Sequence, residues 1–61
     1  MIKQWHGQCQ ARRDGALGLF HHAYRARVSA ETRDDALVAF IAKAHKDGWE
    51  PMAITIEEHR P

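Results

Sequence analysis

The sequence has one cysteine, one serine, two prolines and no run of roughly 18 apolar residues in its 61 positions. A lone Cys9 excludes an intrachain disulfide, the usual staple of a small secreted fold. The missing apolar run excludes a membrane-spanning helix, and Met1-Ile2-Lys3-Gln4-Trp5-His6 offers no signal-peptide core. Catalytic signatures are missing too: there is no Gly-x-Ser-x-Gly elbow, no phosphate-binding glycine loop and no His-Glu-x-x-His. The expectation is a single cytoplasmic domain over residues 1–61, away from membranes, with no cofactor and no enzymatic activity.

What is present suffices for a thin core. Hydrophobic residues make up 44% of the chain, too many for a solvated tail. Ten of them are alanine, so burial rests on a few larger side chains. The net charge of +1 hides an asymmetry. Residues 1–28 carry five basic residues against Asp14 alone, whereas residues 29–61 carry four against seven acids. Two halves of opposite sign attract one another on packing, and they also offer separate basic and acidic surfaces to a partner.

The clearest element is a helix from about Arg33 to Asp47. Thr32 is placed to cap its N-terminus, and Asp34 and Asp35 lie where the helix dipole favours negative charge. Leu37, Phe40, Ile41 and Ala44 recur at i, i+3, i+4 and i+7, one apolar stripe. Gly48 supplies a left-handed cap, Trp49 is placed to fold back over Ala44, and Pro51 stops the helix from resuming. Beyond Pro51 the period falls to two, with Met52, Ile54 and Ile56 on one face of a strand. Phe20, His22, Tyr24, Ala26 and Val28 mark an earlier strand, with a helix through Leu17, Phe20 and Tyr24 as the competitor. Trp5, Gly7, Cys9 and Ala11 mark a first strand, and Arg12-Arg13-Asp14-Gly15 carries an Asp-Gly turn signal joining the two.

The fold class is therefore α+β, in the order β-β-α-β. The strands form one antiparallel sheet of spatial order 2-1-3, with the helix packed on one face and a right-handed crossover. The other face is expected to show Gln4, His6, Gln8, Gln10, His21, Arg25, Arg27, Thr55 and Glu57.

Five histidines and Cys9 are potential metal ligands, but zinc needs three or four that converge. His6 and Cys9 diverge across a strand, His21 and His22 likewise, His45 lies on the helix flank and His59 in a loose tail, so no metal site is expected. Cys9 points inward as a small hydrophobe, and Glu57-Glu58 alternates across the strand instead of forming a carboxylate dyad. The length resembles that of the tautomerases, whose base is an N-terminal proline; residue 2 is Ile2, and the resemblance fails there.

Ile41-Ala42-Lys43-Ala44-His45-Lys46-Asp47-Gly48-Trp49-Glu50, with the strand from Met52 to Ile56, resembles small bacterial and phage domains of unknown function. In these a helix closes with Gly-Trp-Glu and runs straight into a strand. In size the chain is also similar to phage-encoded inhibitors of bacterial defence complexes such as anti-CRISPR proteins. The first resemblance implies the fold and no activity. With no catalytic constellation and a chain too short for a deep pocket, the expectation is a non-enzymatic binding module, most concretely a phage-type inhibitor that docks on a larger protein or nucleoprotein complex.

The residues expected to meet that partner are Arg25, Arg27 and His21 on the open face, with Arg12 and Arg13 at the hairpin tip. An RNA- or DNA-binding domain using Arg12, Arg13, Arg25 and Arg27 is the alternative, although the sheet's aromatics fall on the helix side. A homodimer is compatible with either.

Overall fold

The computed structural model describes residues 1–15 and 18–60. Strand β1 (Lys3–Gly15) pairs antiparallel with β2 (Gly18–Ala30) and with β3 (Glu50–Glu58), and helix α1 (Arg33–Lys46) lies between β2 and β3 in sequence. The sheet order is β2-β1-β3, the α+β arrangement expected from the alternation of residues. Phe20 and Tyr24 lie in β2, so the competing helix is not formed; Leu17 falls outside the described residues.

Both ends of α1 close as the sequence predicts. The Thr32 hydroxyl accepts the Asp35 N–H at 3.2 Å, with Thr32 itself extended at φ −128°. At the other end Gly48 has φ +84°, and its N–H donates to the His45 carbonyl while that of Trp49 donates to Ala44. These two bonds satisfy carbonyls that the last helical turn leaves open, and only a residue tolerant of positive φ makes them together.

The helix is rotated from its expected stripe. Ala36, Phe40 and Ala44 are buried, while Leu37 and Ile41 are half-buried flanks. Two alanines let the backbone approach the sheet, and Phe40 fills the space over Gly7, where any Cβ would collide with the ring. Trp5, Cys9, Ala11, Val28, Ala30 and Ile56 complete the core, and the Trp5 indole N–H donates to the Ala30 carbonyl at 3.0 Å.

Three local expectations are corrected. The segment Arg12-Arg13-Asp14-Gly15 is strand, not turn: β1 runs on until Gly15 pairs with Gly18, and the linking residues lie outside the described set. An Asp-Gly pair is compatible with either position, and Gly18 opens β2 at φ +122°. Phe20 and His22, expected inward, are exposed because the hairpin outruns the helix. Strands of 13 residues at about 3.3 Å each account for the molecule's 44 Å length.

Met52 also changes face. Gln8 pairs with Thr55 and Gln10 with Met52, so β3 has one residue more than β1 over this step, and Ala53 takes φ +52° to absorb it. A one-residue shift moves every following side chain to the other face. Ile54 and Ile56 therefore face α1, and Met52 shares the open face with Gln10.

Candidate functional site

The face opposite α1 is built as cross-strand rows, because paired residues in antiparallel strands point the same way. One row is Arg27, His6 and Glu57, and the next is Arg25, Gln8 and Thr55. Farther along come Ala23, Gln10 and Met52, then His21, Arg12 and Glu50. A shallow groove of about 430 Å³ lies over the first two rows, lined by His6, Gln8, Arg25, Arg27, Thr55 and Glu57. The sheet's large aromatics Trp5, Phe20 and Tyr24 alternate to the helix side.

The five residues expected to meet a partner separate into three groups. Arg25 and Arg27 are exposed at the groove and, among the described residues, form no ion pair. His21 and Arg12 share the open face but lie beyond the groove, and Arg12 Nη2 is already bound to Glu50 Oε2 at 2.8 Å. That bond and the charge behind it hold the Glu50 carboxyl below the usual carboxylate range, and raise the Arg12 guanidinium in turn.

Arg13 faces the other way. Its Nη2 and Nε donate to the carbonyls of Asp47 and Gly48 at 2.7 and 3.3 Å, and its Cζ lies 3.9 Å from the centre of the Trp49 ring. The side chain, though exposed, is a cation held at the negative end of the helix dipole and against the Trp49 ring. His22 stacks on the same indole, with centroids 5.5 Å apart.

Sequence reasoning missed one contact of this face. His59, expected in a loose tail, has its N–H on the Gln4 carbonyl at 2.8 Å, and its Nδ1 lies 2.6 Å from His6 Nε2. The rings meet edge to face, in the row that His6 shares with Glu57. Fifty-three residues separate the two histidines, and no local pattern signals such a pair.

Groups with reactive chemistry are turned to the helix side. Cys9 is buried, and burial pushes its thiol up against the opposing effect of a backbone hydrogen bond from Met52. Tyr24 is pushed up to about 12, first by burial and then by donating its O–H to Asp47 Oδ2 at 2.6 Å. Among the described residues no three His, Cys, Asp or Glu side chains gather as a metal site. No described helix is long and apolar enough to cross a membrane.

Neither a family model nor a curated protein nor a solved structure matches this chain. The site's geometry is therefore the ground for a functional reading. It offers a polar face with two guanidiniums along β2 that form no ion pair among the described residues, and carboxylates along β3.

Proposed function

We propose that this chain is a non-enzymatic protein-binding module that docks through its open sheet face, with Arg25 and Arg27 as anchors for acidic side chains on a larger cytoplasmic partner. The observation that carries this reading is the division of labour among the sheet arginines. Arg12 and Arg13 are consumed by Glu50 and by the helix end, whereas Arg25 and Arg27 stand over a groove with no internal partner among the described residues. Arginine forks of this kind recognise carboxylates bidentately and recur at the energetic centres of interfaces.

The narrower form of the proposal is an inhibitor like those that phages direct at bacterial defence complexes, anti-CRISPR proteins among them. Its support is the small size of the chain and a face suited to one-sided docking. Direct RNA or DNA binding is disfavoured by the engagement of Arg12 and Arg13, and by aromatic rings that face the helix instead of offering a stacking platform.

The test is capture from nuclease-treated extract of the source cells with the wild-type protein and with R25E/R27E, whose fold is checked by circular dichroism. A protein retained by the wild type and lost by the variant supports the proposal. Equal capture by both removes the groove from consideration. Salt-sensitive binding of mixed-sequence oligonucleotides, lost in the same variant, points to nucleic acid instead.

A further inference from the structure

We infer that the open face is self-complementary, and that free chains pair through it face to face about a twofold axis parallel to β1. The inference rests on the reading of this face as a docking surface, and it names a competitor for that surface.

The charges on this face are ordered by strand. Basic side chains line β2 on this face (Arg27, Arg25, His21), and acidic ones line β3 (Glu57, Glu50), with β1 between them. A twofold axis along β1 lays β2 of one copy over β3 of the other while keeping each row at its own height. Arg27 then meets Glu57 of the second copy and Glu57 meets its Arg27, both at once, as a self-complementary interface requires. Arg25 meets the Thr55 hydroxyl, and His21 meets Glu50, which it shares with Arg12. Down the centre Gln8 faces Gln8, a side chain able both to donate and to accept, and His6, whose Nε2 already meets His59 Nδ1, faces His6. Arg12 faces its own copy, but it already carries Glu50 as a counterion.

Competing arrangements lose on the same charges. An axis perpendicular to the strands sets β2 over β2, arginine column against arginine column. Edge-to-edge pairing of two β2 strands gathers Arg25 and Arg27 of both copies on one stretch of ladder, where like charges destabilise. The β3 edge is broken by the bulge at Ala53, a common guard against strand addition.

The overlap is small. From Gln4 to Arg12 the face runs about 27 Å by about 14 Å, or roughly 600 Å² of accessible surface per copy once side-chain relief is included. That is the low end of specific interfaces, so the pair is weak, reversible and sensitive to salt. A reversible pair keeps both arginine groups covered until a partner with a denser acidic patch displaces the second copy.

Sedimentation of the purified protein over a range of concentrations at low salt tests this. The expected result is a monomer–dimer equilibrium that R27E or E57R alone weakens about tenfold or more, each variant setting like charges together twice. Mixing R27E with E57R restores a heterodimer, because both contacts become attractive again, and a misfolded variant does not give that rescue. A wild type that stays monomeric up to its solubility limit overturns the inference, as does a dimer indifferent to R27E or a mixture without rescue. The docking reading fails separately, by unchanged capture in R25E/R27E, and the two failures are distinguishable.

Discussion

Phe40 lies directly on Gly7, with its ring in the space that any Cβ at Gly7 would enter. Phe40 is fully buried and is the largest side chain in the core to be so, so it has nowhere to retreat. Gly7→Ala is expected to lower stability by about 1–3 kcal/mol through overpacking. Combining it with Phe40→Leu should recover part of that loss, since the smaller side chain vacates the contested volume and the two changes are coupled. Urea midpoints of the single and double variants check this; strictly additive effects would mean that the ring is not held against the glycine.

The helix C-terminus depends on Gly48 at φ +84°. Gly48→Val should cost roughly 1 kcal/mol or more, because a β-branched residue resists this conformation, and Gly48→Asn should cost less. Space is not the obstacle, since a Cβ there would meet Arg13 only at ordinary contact distance. Coincident denaturation midpoints for wild type and Gly48→Val would contradict the cap.

Tyr24 is the sole tyrosine, so tyrosinate absorbance reports it alone. Its folded value of about 12 stands above the ordinary 10, so folding favours the neutral phenol. The associated stability is complete below pH 10 and is lost as pH rises from 10 through about 12. Tyr24→Phe should flatten this part of the stability–pH curve relative to the wild type. A native titration midpoint near 10 would show that the Asp47 bond and the burial do not act in solution.

What was legible in the sequence was local. Thr32 and Gly48 mark the helix ends through hydrogen bonds spanning a few residues, and the two-residue alternation of β1 and β2 assigns Arg25 and Arg27 to the open face without any knowledge of partners. Illegible features depend on register between distant segments. The bulge at Ala53 moves Met52 across the sheet, the hairpin closes later than its Asp-Gly pair suggests, and His6 meets His59 only once β3 is aligned. Arg13 is the instructive case for the site. Beside Arg12 in sequence it reads as half of a basic tip, yet it points to the opposite face and reaches Asp47 and Gly48, more than thirty positions away. Two neighbouring arginines on a strand never share a face, and the length of the strand decided that they were on one.

On the proposed reading the protein docks through its open sheet face and not through its helix. A photoreactive phenylalanine analogue placed at Gln8, in the groove, and separately at Val38, 68% exposed on the outer side of α1, tests it most directly in nuclease-treated extract of the source cells. An adduct with a different protein, distinct in mass from a self-adduct of two copies, is expected from position 8 and none from position 38. An adduct from position 38 with none from position 8 would contradict it.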